Sequence, residues 1–276
     1  MIELPEAAVI AGQMRRELNG KRIAAATRGN SPHKFAFYTA EPEEYASILA
    51  GRTLGPARDN GSMVMLPAEP GYTLVLGGGG ERILYHRDAD SLPVKHQLWL
   101  QFDDRSHLTV SVQGWGSAML LTPEQLAAHP WVPAYRLSPL EAGFTLEHFA
   151  GLWGQLEPDD KTMVKAFVIS KPGVWGVGNG YLQDILYRAR IHPRRRAAQL
   201  SEDEKHALYQ AIRATLEQAV AQGGRDTERD LYGRPGGYVP LLDTRQAGKP
   251  CPHCGATIEK AALLGGSVYY CPACQV

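Results

Sequence analysis

All four cysteines of the chain lie in its last 26 residues, as Cys251-Pro-His-Cys254 and Cys271-Pro-Ala-Cys274 with sixteen residues between the pairs. Two thiolates from each of two such knuckles close a tetrahedral shell around Zn2+. With every corner filled, no position is open to water or substrate, so one structural ion is expected. His253, inside the first knuckle, is surplus to that shell. At the other end of the chain Glu3 and Glu6 bracket Pro5. Proline suits a first helical turn, and carboxylates there are favoured by the helix dipole. Between these ends, residues 165–196 read KAFVISKPGVWGVGNGYLQDILYRARIHPRRR. Apolar helical segments, Val164 to Ser170 and Tyr181 to Ala189, flank a turn whose glycines, Gly173, Gly176 and Gly178, permit positive φ and close backbone approach. The turn's amides, the Asn179 side chain and the positive end of the second helix make a phosphate site. Arg188, Arg190, Arg194, Arg195 and Arg196 follow within nine residues. Such a cluster fits a polyanion backbone, and nucleic acid is the natural one.

These groups need a scaffold, and 276 residues suffice for two domains. The net charge is zero, so only the local clustering of arginine speaks for nucleic acid. No apolar run approaches the ~18 residues of a membrane span, and MIELPEAAVI offers acids where a leader needs bases. A cytoplasmic protein without disulfides is expected. An N-terminal helix should end near Asn19-Gly20. From Arg22 to about Leu121 short period-two segments, Phe35–Tyr38, Met63–Leu66, Tyr72–Leu76, Ile83–His86, His96–Phe102 and Leu108–Val112, predict a β-sandwich. Proline-rich residues 128–140 read as a linker. A capping box at Ser201-Glu-Asp-Glu204 opens a core-facing helix that Gly223-Gly224 stops, and GGRDTERDLYGRPGGY reads as loop. The fold class is α+β, divided as helix plus sandwich (1–128), linker (129–140), helical domain (141–246) and zinc ribbon (247–276).

The run GVGNGYLQDILYRARIHP resembles the helix–two-turn–helix of the formamidopyrimidine-DNA glycosylase and endonuclease VIII family, whose pattern is roughly G-[IV]-G-N-x-Y-x-x-[DE]-x-L-x-x-[AS]-x-I-H-P. The start, Met1-Ile-Glu-Leu-Pro-Glu, is similar to that family's M-P-E-L-P-E, and the final Cys-x-x-Cys-Gln is similar to the end of its zinc finger. The resemblance spans the chain in order. It implies double-stranded, damaged DNA bound in the cleft between two domains, a monomer, base-excision repair, and a phosphate clamp of Lys165 and Asn179 with Gly178 in the motif turn. It also implies acid/base roles for Glu3 and Glu6 and attack on sugar C1′ by an N-terminal amine, here that of Met1 if the methionine is retained.

This sequence departs from the family at five places. Ile2 replaces the proline whose amine is the family's nucleophile, and so bulky a residue leaves methionine in place. The wedge methionine becomes Gly78 within Gly77-Gly78-Gly79-Gly80, and the second void-filling loop becomes Gln113-Gly114-Trp115-Gly116, whose Trp115 either stacks in DNA or joins the core. The family's phosphate-gripping finger arginine is Gly266, and its β-strand lysine has no counterpart, leaving Lys34 as the best amine of that half. Two readings follow: a glycosylase, with or without AP-lyase activity, of altered mechanism, and a non-catalytic protein binding damaged DNA or abasic sites on the same scaffold.

Overall fold

The computed structural model describes residues 1–132, 136–157 and 160–276. They form two compact units, Met1–Arg136 with Gln222–Gly237, and Leu137–Ala221 with Tyr238–Val276. The first contains α1 (Leu4–Glu17), β1 (Ile23–Thr27), β2 (Ala36–Phe37), α2 (Pro42–Leu49), β3 (Thr53–Leu54), β4 (Arg58–Asn60), β5 (Met63–Glu69), β6 (Tyr72–Gly77), β7 (Glu81–His86), β8 (Leu98–Phe102), β9 (His107–Val112), β10 (Gly116–Leu121) and α3 (Pro123–Ala128). The second contains α4 (Leu146–Gly151), α5 (Val164–Ile169), α6 (Asn179–Ala189), α7 (Glu202–Ala221), β11 (Glu259–Leu263) and β12 (Gly266–Tyr270).

The β-rich body has one sheet in the order β1-β8-β9-β7 and another in the order β2-β10-β6-β5-β3, with β4 also paired to β5. Alternation assigns the faces. Val64, Leu66, Leu74, Leu76, Ala118 and Leu120 of one sheet share a core with Ile83, Leu98, Leu100, Phe102, Leu108 and Val110 of the other. The other face of the larger sheet gathers Met65, Val75, Met119 and Leu121 around Val132. β10 (GSAMLL) therefore has no polar face, which is why period two did not mark it. Helix α1 presents Ala7, Ile10, Ala11 and Met14 to the main core and starts at Glu3, whose capping box is closed by Glu6.

The structure divides the chain differently from the sequence boundaries. Residues 222–237, expected within the helical domain, pack with the sandwich, because this loop's polar groups are satisfied along α1: Gln13 Nε2 donates to Asp230 at 2.8 Å, and Leu231 N donates to Gln13 Oε1 at 2.8 Å. Val132, from the expected linker, is fully buried in the sandwich's second apolar cluster, while linker residues 133–135 lie outside the described residues.

In the second unit α6 packs against α7 and β12, and α7 opens at the expected capping box, with Glu204 N to Ser201 Oγ at 3.2 Å and Ser201 N to Glu204 Oε2 at 2.8 Å. Gly173 and Gly176 take φ of +78° and +79°, while Gly178 stays extended at −124° as the N-cap of α6. The turn thus uses left-handed backbone twice rather than three times.

Candidate active site and nucleic-acid interface

Glu3, Glu6 and the N-terminus come together as expected, but their partners come from the loop 222–237. Arg225 donates to Glu6 Oε1 through both its backbone N and its Nε, each at 3.1 Å. Its guanidinium also stands 3.5 Å from Glu3 Oε1 and donates to the Met1 carbonyl at 2.5 Å. Glu3, Glu6 and Arg225 are all buried. Gly224 makes the approach possible: at φ +88° it brings its backbone so close that a Cβ would lie 3.2 Å from Glu6 Cγ. One guanidinium thus stands beside two buried carboxylates that would otherwise repel each other across a low-dielectric gap. Arg225→Ala should lower the stability of this unit by about 3–5 kcal/mol, the usual consequence of stranding a buried charge. Thermal unfolding measures it, and an unchanged melting temperature would contradict the ion cluster.

The Met1 ammonium donates to Glu228 Oε1 at 2.6 Å, and Arg82 reaches Glu228 Oε2 at 3.0 Å. Burial alone would raise the Glu228 pKa, but the Met1 ammonium, Arg225 and Arg82 hold it below the ordinary carboxylate value. Ile2 is buried in the main core, and its amide donates to Gly79 O at 2.8 Å. The chain's first two residues are therefore built into the fold. The N-terminal amine is thus engaged by a carboxylate of the loop 222–237.

Behind Ile2 lies a carboxyl the sequence reading passed over. Glu81, buried at the start of β7, accepts from Ser117 N at 2.6 Å and Gly79 N at 2.9 Å. Burial pushes its pKa up to about 7, against the pull of those amides and of the N-terminal charge. It fastens the tetraglycine loop to the Trp115 turn, which are further joined by Gly80 N to Trp115 O at 2.8 Å. The glycines permit this contact: a Cβ at Gly79 would lie 2.1 Å from Trp115 O, and one at Gly80 would lie 2.0 Å from Gln113 O. Trp115 itself is 42% exposed, so of the two alternatives it belongs to the surface.

In the second unit Lys165 and Asn179 converge at the turn of the β11–β12 hairpin, with Gly178 the N-cap of α6 beside Asn179. Asn179 is exposed, but Lys165 is fully buried, and its Nζ donates to Leu263 O at 2.7 Å. Burial lowers its pKa. Lys165 was expected to meet a phosphate; here the hairpin covers it, and Gly266 is why the hairpin fits. A Cβ at that position would come within 3.2 Å of Asn179 Nδ2 and 3.4 Å of Lys165 Nζ. Gln183 ties α6 to the same hairpin, donating to Ser267 O and accepting from Tyr269 N. Asp184, the acidic position of the motif, is buried with its pKa raised by burial, and accepts from Tyr238 Oη, Leu241 N and Leu242 N. Its role is to anchor the chain leaving the loop.

The arginine cluster divides. Arg188, Arg190, Arg194 and Arg196 are exposed, whereas Arg195 is half-buried and paired with Glu204 at 3.1 Å. Arg188 and Arg194 already hold Gln218 Oε1 and Ala262 O, contacts that a phosphate can displace at the surface.

The four cysteine sulfurs lie within 4.8 Å of one another, with Cys251–Cys274 at 3.8 Å and Cys254–Cys271 at 3.4 Å. Tetrahedral Zn–S bonds of about 2.3 Å place sulfurs roughly 3.8 Å apart, so the donor set fits the ion. Cys251, Cys254, Cys271 and Cys274 hold one structural Zn2+. His253 is not among them.

A helix–two-turn–helix, a four-cysteine ribbon and a sandwich started by a carboxylate-capped helix define a DNA-repair class of protein, and comparison with known proteins agrees. The family model described as the formamidopyrimidine-DNA glycosylase H2TH domain matches residues 138–230, and that of the zinc finger found in FPG and IleRS matches residues 248–276. The chain is 34% identical over 280 residues to the formamidopyrimidine-DNA glycosylase of a Roseiflexus species, covering 100% of both chains. It is 29% identical to that of Chloroflexus aurantiacus, covering 100% of this chain and 98% of the relative. Its fold matches Lactococcus lactis Fpg, solved in complex with DNA containing an abasic site, with a TM-score of 0.83 at 22% identity and 99% coverage of each chain. This chain belongs to the formamidopyrimidine-DNA glycosylase family.

Sequence reasoning missed Arg225, Glu228 and Glu81. The first two lay in a stretch legible only as polar loop. Glu81 carried a signal, a carboxylate between a glycine run and the apolar strand ILY.

Proposed function

We propose that this protein is a DNA glycosylase of base-excision repair that excises damaged bases from double-stranded DNA by hydrolysis rather than through an N-terminal Schiff base. The full-length likeness to formamidopyrimidine-DNA glycosylases supports the glycosylase. One observation carries the hydrolytic route: the N-terminal amine is held by Glu228, and Ile2, the next residue, is buried in the core. Glu3 is the catalytic carboxylate in this reading, with Glu6 the second candidate. Water adds to C1′ as the glycosidic C–N bond breaks, Glu3 takes the water proton, and that proton passes to the departing base. Exposed Asn179, the Gly178 turn and Arg188 and Arg194 contact backbone phosphates. Lys165 joins them when the β11–β12 hairpin shifts, and until then it supports the hairpin. Trp115 stacks where DNA is opened. The protein works as a cytoplasmic monomer, on the chromosome when bound.

Borohydride trapping on duplexes carrying oxidised purine, oxidised pyrimidine or abasic sites tests this, with alkali treatment to reveal base loss without strand cleavage. Base release with weak trapping is expected, alongside an intact mass that retains Met1. Ile2→Pro, which permits methionine removal, should increase trapping. Efficient trapping by the wild type, abolished by blocking the Met1 amine, would overturn the hydrolytic route. Absence of base release from every lesion tested would overturn the enzyme.

A further inference from the structure

The larger sheet ends at β2, and there Phe37, half-buried against the sheet's second apolar cluster, stands between two exposed tryptophans. Phe37 lies 6.5 Å from Trp115 and 5.9 Å from Trp131, centroid to centroid, and His129 stands 6.1 Å from Trp131. Trp131 is 66% exposed and, with Trp115 at 42% and Phe35 at 50%, makes a contiguous rather than a scattered aromatic surface. Next in line, the half-exposed Phe35 accepts from Gly116 N at 3.0 Å through its carbonyl, placing it beside the Trp115 turn.

Alternation along β2 sends Ala36 and Tyr38 away from Phe37, and on that opposite side they line a cavity of about 440 Å3 with Arg28, His33 and Lys34. The Arg28 guanidinium stacks 3.9 Å above the Tyr38 ring, and its acidic neighbour Glu41 is 3.8 Å away on a largely exposed side chain. A nucleic-acid strand that crosses the free edge of β2 meets rings on one side and cations on the other, the two kinds of group that unpaired bases and backbone phosphates call for.

We propose that Trp115, Phe37 and Trp131 form a stacking platform for the bases of an unpaired DNA segment, with Arg28, His33 and Lys34 holding its phosphates. The platform rests on the proposed glycosylase reading and extends it from the damaged base to the pairing state of the DNA around it. Gly78 offers no side chain to fill a gap in a continuous duplex, whereas a lesion beside a bubble, fork or gap leaves bases free to lie on the rings.

The experiment uses the full zinc-loaded chain and fluorescence anisotropy. Three DNAs of one sequence carry the same abasic-site analogue: a continuous duplex, a duplex with a short bubble beside the site, and the single strand. The bubble and the single strand should bind at least as tightly as the duplex. Trp131→Ala should weaken those two about tenfold, as loss of a stacking ring does, and lower their affinity relative to duplex by a similar factor, while Trp131→Phe retains most of it. Lys34→Ala should flatten the salt dependence of single-strand binding by about one counterion. Equal losses on all three DNAs with Trp131→Ala, or no loss on any, would overturn the platform. Binding of the duplex without the single strand would remove the platform and leave the glycosylase standing; binding of none of the three would remove both.

Discussion

Glu3→Gln should release a damaged base at least about 10²-fold more slowly than the wild type while holding the same DNA nearly as tightly. Loss of a general acid or base produces an effect of that size. The substitution is nearly isosteric, and amide oxygen can still accept at the start of α1, where Glu3 is the N-cap. What vanishes is the charge and the ability to take a proton from water. Glu6→Gln provides the contrast. Glu6 is the main acceptor of Arg225, through Oε1 at 3.1 Å twice, so its substitution should act on thermal stability and on the placing of the N-terminus. Single-turnover rates beside equilibrium affinity separate the cases. A Glu3→Gln enzyme that keeps its rate would remove Glu3 from the chemistry and pass the role to another carboxylate.

Chelation of the zinc, or Cys271→Ser, should abolish DNA binding while the first unit stays folded. Residues 247–276 carry the β11–β12 hairpin and two small apolar clusters, Cys251, Ile258 and Cys271 packed with Leu242, and Leu263, Val268 and Tyr270. An element of this size does not fold without its metal, whose binding supplies on the order of 10 kcal/mol. The damage spreads inward, since Lys165 loses its acceptor on Leu263 and Gln183 loses its partners on Ser267 and Tyr269. The N-terminal end of α6, proposed above to contact phosphates, thereby loses the contacts that hold it in place. Anisotropy with a duplex measures the loss, with metal content verified in the same sample. Full affinity in zinc-free protein would show that the ribbon is dispensable for binding.

How far the sequence could be read follows from the range of each interaction. The zinc shell was legible because ligand identity and spacing are local, and α6 was legible because a glycine turn, an N-terminal asparagine and helical periodicity lie within twenty residues. The core alternation of Leu98, Leu100 and Phe102 was legible for the same reason. Strand β10 was not, since apolar cover on both faces erases the period. Helix α2 was not, since only Tyr45 and Leu49 of its residues are buried. The cover on Lys165 was not legible either, because nothing near it in sequence foretells a carbonyl 98 positions away accepting from its amine. Arg225 read as one charge among many, although its partner Glu6 lies 219 positions earlier. Charge partners across such distances leave no trace in composition or period.

The tetraglycine loop also limits what substitution can do to this protein. Gly77 and Gly78 sit at φ of +94° and +84°, where a side chain is strained, and a Cβ at Gly79 or Gly80 would collide with the carbonyls of Trp115 and Gln113. A replacement at Gly77, Gly79 or Gly80 meets backbone, and one at Gly78 meets strain and the Met63 side chain. Met63 compounds the barrier, because its Cε lies 3.3 Å from the place a Gly78 Cβ would take. A side chain is therefore tolerated far less readily in this loop than in the neighbouring Trp115 turn, where Gly114 meets nothing within 4 Å of an added Cβ although its φ of +84° still strains one.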